Sequence, residues 1–207
     1  MALDIGRGGR EHRADDSGAR HGGWRIIPDV DLAIPTVETD RLSLRPFREA
    51  DVAELFELLQ DPEVFRYIGD RRKPTLQETW RAVAGWLGHW AMRSYGQWAI
   101  EERSSGRFIG RAGIINPAEW PGPEVGYVLG REWWGHGYAT EAAGAAMSWG
   151  FRELGFDDLI SLIDPDNHRS IAVATRLGES LRGETTLLGT GVLVYGISRK
   201  QWEARQP

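Results

Sequence analysis

One segment in the second half of the chain constrains its fold more than any other. A strand pattern from Glu124 to Leu129 is followed by two glycines, Gly135 and Gly137, and then by the start of a helix near Tyr138. Glycine permits a positive φ and lets a ligand approach the backbone closely. The first N–H groups of a helix have no intrahelical partner, and the helix dipole favours an anion there. The segment therefore predicts a phosphate-binding loop between a strand and a helix.

Three kinds of phosphate-binding loop place glycines before a helix, and two of them do not match this segment. A Walker A loop has Lys and then Ser or Thr directly after its last glycine, whereas Tyr138 and Ala139 follow here. A dinucleotide fingerprint needs a third glycine where this chain has Thr140, and it lies near the first strand of a βαβ unit rather than late in a chain. A loop for the pyrophosphate of coenzyme A remains, beside an ordinary loop into a helix. The glycine pair alone does not separate these two.

The hydrophobic periodicity around this segment predicts a mixed α/β sheet rather than a strict βαβ repeat. Predicted strands cover residues 41–45, 97–102, 108–115, 124–129, 159–163, 181–187 and 192–198. Predicted helices cover residues 50–60, 76–93, 138–154 and 168–177. The length of 207 residues suggests one domain with some extra chain. Residues 1–36 lack a clear period and are predicted to be a flexible or loosely docked extension of a domain that covers residues 37–204.

Charge and composition exclude several functional classes. The formal charge of −5 argues against a nucleic-acid-binding surface as the main function. The absence of cysteine excludes disulfides, a thiolate zinc site and a cysteine nucleophile. The histidines show no metal-ligand spacing, so no metal is expected. Because no apolar run is long enough to span a membrane and the N-terminus lacks an apolar signal region, we expect no membrane association and a cytoplasmic location.

Four segments in matching order resemble motifs of the GNAT acetyltransferase superfamily, and more closely those of its RimJ/RimL-like branch, which acetylates the N-termini of ribosomal proteins. The segments are Thr39–Pro46, Glu124–Leu129 with Trp134–Ala142, Asn167–Gly178, and Val192–Ile197 with Trp202. The resemblance covers about residues 37–204. It implies the GNAT acyl-CoA N-acyltransferase fold, an α/β fold with a mixed, mostly antiparallel sheet that contains a splayed parallel pair and is flanked by helices.

The resemblance also implies acetyl-CoA as cosubstrate and a set of residues that bind it. Backbone groups of Val128 and Leu129 would hold the pantetheine arm, and Asn167 and Ser170 would face the sulfur end. The phosphates would lie on the loop and helix start, formed by Trp134, Gly135, His136, Gly137, Tyr138, Ala139 and Thr140. A homodimer is suggested by analogy with the family only.

Three positions depart from the superfamily pattern. Glu132, preceded by Arg131, stands where Gln or Arg is usual before the first loop glycine. Ala174 stands where many members carry a tyrosine general acid, and Glu179 stands where Phe is usual. A tyrosine acid at position 174 is therefore excluded.

The chemistry of amide formation requires a neutral amine. From reference pKa values, an α-amine at pH 7 is roughly 10–20% neutral and a lysine roughly 0.04%, a difference of about 3.6 kcal/mol in deprotonation cost. An α-amine therefore needs only a weak base, for which Glu124 is the candidate, although a solvated strand end is the plainer interpretation. Ser170 is the candidate proton donor to the thiolate, or simply the third residue of a helix capped by Asn167. Because cysteine and a G-x-S-x-G elbow are absent, direct transfer in a ternary complex is expected.

The acceptor is a primary amine, either a protein N-terminus or a small molecule. Phe65 and Tyr67, between the first two predicted helices, are candidate walls of its site. Three other functions stay open at this point: transfer of a larger acyl group such as succinyl, a non-catalytic coenzyme A-binding regulatory module, and nucleotide binding.

Overall fold

The computed structural model describes residues 33–69 and 71–205, and the predicted extension of residues 1–36 therefore lies mostly outside the described residues. The strands are β1 (Val37–Glu38), β2 (Leu42–Arg45), β3 (Gln97–Glu102), β4 (Arg107–Ile115), β5 (Glu124–Leu129), β6 (Asp158–Ile163), β7 (Ser180–Leu187) and β8 (Thr190–Ser198). The helices are α1 (Asp51–Leu58), α2 (Pro62–Phe65), α3 (Leu76–Arg93), α4 (Tyr138–Arg152), α5 (His168–Leu177) and α6 (Arg199–Glu203). Every strand and helix predicted from periodicity is present.

The elements missing from the prediction are those too short to show a period. β1 has two residues, α2 has four and α6 has five. Local hydrogen bonds explain the two helices: Asp61 accepts from the N–H of Glu63 at the start of α2, and Ser198 and Gln201 form a capping box at the start of α6.

Within the described residues the strands form one sheet in the order β1-β2-β3-β4-β5-β6-β8-β7. Among these strands only β5 and β6 pair in parallel, and all other neighbours are antiparallel. This is the mixed sheet with a parallel pair that the sequence predicts. No helix in residues 33–69 or 71–205 has the length and apolar character of a membrane span.

A tryptophan cluster fills the core between the middle of the sheet and the helices. Trp98 is fully buried on β3, and its ring lies edge-on to Trp90 of α3 at 4.9 Å and to Trp149 of α4 at 5.1 Å. Its indole N–H donates to the carbonyl of Pro35 at 2.7 Å, beside the buried Ile34. Such aromatic packing buries large area at low entropy cost and makes the sheet a rigid base for the site.

A buried ion pair joins β2 to the start of α1. Both carboxylate oxygens of Asp51 accept from the guanidinium of Arg45 at 2.8 Å, and Asp51 also accepts from the N–H of Arg48 at 2.7 Å. The Nε of Arg45 donates to Glu101 at 2.7 Å. Removing one partner of such a buried pair leaves an uncompensated charge in the interior.

We therefore expect Asp51→Ala to lower the free energy of unfolding by about 3–5 kcal/mol. Chemical denaturation checks this. Glu54→Ala, which removes an exposed carboxylate on the same helix, is the matched control and is expected to change stability by less than about 0.5 kcal/mol. Equal effects of the two substitutions would contradict the importance of the pair.

Candidate active site

The parallel strands β5 and β6 separate almost as soon as they meet. Their register pairs Glu124 with Ile160, and the N–H of Ile160 donates to the carbonyl of Pro123 at 3.0 Å. Beyond that point Ser161 Oγ reaches across to the carbonyl of Val125 at 3.3 Å. The separation opens a cleft of about 1600 Å³ that runs between the strands.

The cleft gathers nearly all of the predicted site residues. Its walls include Tyr67, Glu124, Val128, Leu129, Trp134, Gly135, His136, Gly137, Tyr138, Ala139, Thr140, Asn167 and Ser170. Phe65 is half-buried at the end of α2 and is not among the lining residues, so of the two aromatic residues only Tyr67 faces the cleft.

The glycine loop has the geometry that anion binding requires. Gly135 and Gly137 both have φ of +82°, and Gly137 is the residue before the first turn of α4. No side chain caps this helix, so the first amides of α4 are open to a ligand. The first N–H groups of α4 therefore lie on this wall of the cleft, at the positive end of the helix dipole.

Glu141 in the first turn of α4 holds this loop against the first strands. Its carboxylate accepts from Thr39 Oγ1 at 2.7 Å, from the N–H of Arg41 at 3.0 Å and from Arg41 Nε at 2.6 Å. The guanidinium of Arg41 also donates to the carbonyl of His136 at 2.9 Å and lies 4.5 Å from the ring centre of Tyr138. The loop is thus fixed before any ligand arrives.

The edge of β5 that faces the split is only partly used by the protein. Since Gly130 N–H donates to Ile109 of β4 at 3.0 Å and successive residues point to opposite edges, Val128 faces β4, whereas Tyr127 and Leu129 face the open edge. The carbonyl of Leu129 accepts from Trp134 Nε1 at 2.9 Å. Peptide groups of Tyr127 and the N–H of Leu129 remain for an extended ligand.

Helix α5 closes the cleft with the residues that the resemblance assigned to the sulfur end. Asn167 caps the helix by accepting from the N–H of Ser170 at 3.2 Å, as the plainer interpretation of these residues predicts. Burial raises the pKa of the Tyr127 phenol to about 12, and the neighbouring Ser170 side chain opposes that shift. The Tyr127 hydroxyl is buried without a hydrogen bond of regular geometry in the described part of the chain.

Glu124 lies where the strands divide and is surrounded by donors. Its Oε2 accepts from the indole N–H of Trp120 at 2.6 Å. Burial raises the pKa of the Glu124 carboxyl, while the Trp120 hydrogen bond, the Arg111 cation and the backbone N–H of Leu162 favour the ionised form. Burial also lowers the pKa of Arg111 to about 10, with Glu124 acting in the opposite direction. A carboxylate with a raised pKa in a cleft is suited to accept a proton.

A second buried carboxyl in the cleft, Glu179, was not predicted as a site residue. It follows Gly178, which ends α5 with φ of +92°, and its side chain is 5% exposed. Its Oε1 lies 3.0 Å from Ser161 Oγ, and burial raises the pKa of this carboxyl to about 7. The sequence did contain a signal for this residue. Glu179 departs from the superfamily pattern, which has an apolar residue at this buried position.

The segment after α2 borders one side of the cleft. Arg66 lies over the ring of Tyr67 at 5.3 Å, and Arg71 forms an ion pair with the buried Asp164 after β6. This ion pair connects the segment after α2 to the end of β6. Among the described residues no group of three His, Asp or Glu side chains is placed to hold a metal ion.

Comparison with known proteins gives a consistent family. The family model of acetyltransferase (GNAT) domains matches residues 41–179. The chain is 38% identical over 149 residues to the uncharacterized protein YkkB of Bacillus subtilis, which covers 68% of this chain and 82% of YkkB.

Solved structures agree with the fold described above. An acetyltransferase from Agrobacterium tumefaciens has 33% identity and a TM-score of 0.72, covering 80% of this chain and 95% of the other. The ribosomal α-N-protein acetyltransferase RimL, solved in complex with coenzyme A, has 21% identity and a TM-score of 0.66 over 79% of this chain and 98% of RimL. The likeness to RimL concerns the fold.

Substituting Gly137 tests the anion-binding loop. Its φ of +82° strains any side chain, and an added Cβ would lie 3.5 Å from Arg41 Nη2. We expect Gly137→Ala to weaken coenzyme A binding by about tenfold, because a cost of about 1 kcal/mol or more falls on the binding conformation. Gly106→Ala is the matched control, since Gly106 has φ of +67° with nothing within 4 Å and lies in the β3–β4 turn. Calorimetry with coenzyme A measures both; equal affinities would contradict the assignment of the loop.

Glu179 is expected to make stability depend on pH. Its folded-state pKa of about 7 exceeds the ordinary value, so the folded chain keeps a proton that the unfolded chain releases between these two values. The free energy of unfolding therefore falls as the pH rises from about 4.5 to about 7, by up to about 3 kcal/mol from this group. Glu179→Gln should lack this decrease, and denaturation curves across the window check it. Glu184→Gln on β7, where the carboxylate is exposed, should follow the wild type; parallel curves for all three proteins would refute the prediction.

Proposed function

The chain belongs to the GNAT acetyltransferase family, and on that premise we propose that it transfers the acetyl group of acetyl-CoA directly to a primary amine in a ternary complex. One observation carries the proposal: the split between β5 and β6 leads from a half-buried carboxylate, Glu124, to the uncapped amides at the start of α4. This path suits a ligand that places a thioester near Glu124 and a diphosphate at the start of α4.

The described residues suit acetyl-CoA, whose thioester supplies an activated acetyl group when bound. The amides from Gly135 to Thr140 would take the diphosphate, with Arg41 and Arg169 as nearby cations on the cleft wall. Arg169 already lies over the ring of Trp134 at 4.5 Å. Peptide groups of Tyr127 and Leu129 would pair with the pantetheine arm, which refines the expectation that Val128 does so with its backbone.

Glu124 is proposed as the base that accepts the proton of the attacking amine, directly or through water. Burial raises the pKa of Glu124, while the Trp120, Arg111 and Leu162 contacts favour its ionised form. A carboxylate with a raised pKa is a better proton acceptor than an exposed one. Asn167 and Ser170 are proposed to face the sulfur end, where the Ser170 hydroxyl would hydrogen-bond the sulfur.

The acceptor is proposed to be an α-amine or another amine of low pKa. A single carboxylate of this kind is a weak base, so an amine that is already partly neutral at pH 7 is favoured over lysine. RimL acts, by its name, on a protein α-amine, which supports a protein N-terminus as the first acceptor to test. Tyr67 would contact the acceptor from the segment after α2.

A panel of N-terminal peptides and small amines at fixed acetyl-CoA tests the proposal. We expect thiol release well above background with at least one α-amine, and Glu124→Gln should lower kcat/KM on the order of 10²-fold with little change in coenzyme A affinity. Glu119→Gln, an exposed carboxylate in the preceding loop, should match the wild type. Acetyl-CoA binding with no turnover of any amine would refute the proposal, as would a Glu124→Gln variant of full activity.

A further inference from the structure

Ser161 has one hydroxyl proton and two neighbouring acceptor sites. Its Oγ lies 3.3 Å from the carbonyl oxygen of Val125 and 3.0 Å from Oε1 of Glu179. A carbonyl can only accept a hydrogen bond, and an ionised carboxylate likewise. All the groups are satisfied when Glu179 is protonated and donates to Ser161, while Ser161 donates to Val125. Ser161 donating to an ionised Glu179 would lower the pKa of that carboxyl but leave the Val125 carbonyl without this donor, whereas a protonated Glu179 allows both contacts at once.

The second oxygen of Glu179 leads to the same conclusion. Oε2 is buried and has no hydrogen bond within the described residues. An unpaired charge is far more costly to bury than an unpaired neutral oxygen, and burial is the main cause of the raised pKa. Of the charged groups that face Glu179, Arg182 favours its ionisation, whereas Glu124 and Asp158 oppose it. Glu179 in turn raises the pKa of Tyr127, which Arg176 lowers.

Burial raises the pKa of both Glu124 and Glu179, but the hydrogen bonds of the two carboxyl groups differ. Glu124 accepts hydrogen bonds from Trp120 and Leu162, which favour its ionised form. Glu179 has Ser161 beside one oxygen, and its other oxygen has no hydrogen bond within the described residues. The two carboxyl groups also repel each other when both are ionised. Two carboxyl groups whose surroundings separate their proton affinities are the arrangement of an acid and a base.

We propose that Glu179 enters the reaction protonated and donates its proton to the leaving thiolate of coenzyme A. This step rests on the proposed function. The amine nitrogen bonds to the carbonyl carbon as the C–S bond breaks, and Glu124 takes the proton that the amine loses. Glu179, which lines the same cleft, gives the sulfur the proton that it had shared with Ser161. Solvent then moves the proton from Glu124 back to Glu179, so the products are the amide and the free thiol.

Glu179 is a stronger acid than the neighbouring hydroxyl groups of Tyr127 and Ser170. Burial raises the pKa of the Tyr127 phenol to about 12, whereas a thiol has a pKa of about 8.5, so transfer from the phenol to the thiolate is uphill. The Ser170 hydroxyl is a weaker acid still. A carboxyl with a pKa of about 7 transfers its proton downhill to the thiolate.

The decisive variant is Glu179→Gln, which stays neutral and keeps an N–H donor for Ser161 but has no proton to transfer. In single turnovers, where product release does not limit the rate, we expect the rate of acetyl transfer to fall on the order of 10²-fold. The wild-type rate should decline as the pH rises through about 7, since the acid is then lost, and this decline should be absent from the variant. Affinity for coenzyme A should change less than about twofold. Glu184→Gln is the control.

The outcomes distinguish this inference from the proposed function. A wild type that binds acetyl-CoA and acetylates an amine, with Glu179→Gln equally fast and with the same pH profile, overturns the role of Glu179 alone. Loss of the same pH dependence in Tyr127→Phe but not in Glu179→Gln would assign the proton to the phenol and also overturn it. A wild type that shows no binding and no turnover removes the proposed function, and this inference with it.

Discussion

The structure depends on the point where β5 and β6 stop pairing. A parallel pair that continued would satisfy its own backbone groups and leave no cleft. Here the strands share a hydrogen bond from Ile160 to Pro123 and then diverge, and a side chain, Ser161, makes the next contact across the gap. The backbone edge that results needs a partner, and an extended ligand or water provides one. The cleft follows directly from this interruption.

Contacts elsewhere in the fold hold β5 and β6 apart beyond the residues at which they pair. Trp134 donates to the carbonyl of Leu129, so the glycine loop is joined to the end of β5. Glu141 joins the start of α4 to Thr39 and Arg41 on the other side. Behind the sheet, the edge-on rings of Trp90, Trp98 and Trp149 leave little room for the strands to shift. Preorganisation of this kind places binding groups without a further ordering cost.

The two carboxyl groups in the cleft between β5 and β6 have different surroundings. Glu124 is among N–H donors and a cation, and Glu179 is beside a serine and otherwise desolvated. If only their proximity mattered, the two carboxyl groups would share one proton without a preference for either group. The hydrogen bonds of the two groups are unequal, and the proposed roles of Glu124 as base and Glu179 as acid rest on that difference.

The sequence by itself determined the features that depend on near neighbours in the chain. Periodicity located the long helices and strands, and the glycine pair before Tyr138 predicted the loop proposed to bind an anion, because a helix start and a positive φ are local properties. The cap formed by Asn167 was predictable for the same reason. Resemblance to a known family supplied the parallel pair and the cleft.

Only the tertiary structure decided which groups meet across the sheet. Glu179 and Ser161 are 18 positions apart and become hydrogen-bond partners only because the chain after α5 returns beside β6. The direction of the Val128 backbone follows from its pairing with β4, and Phe65, at the end of α2, does not line the cleft, whereas Tyr67 does. Burial and hydrogen-bond partners set proton affinity, and both are properties of the packed chain rather than of any short segment.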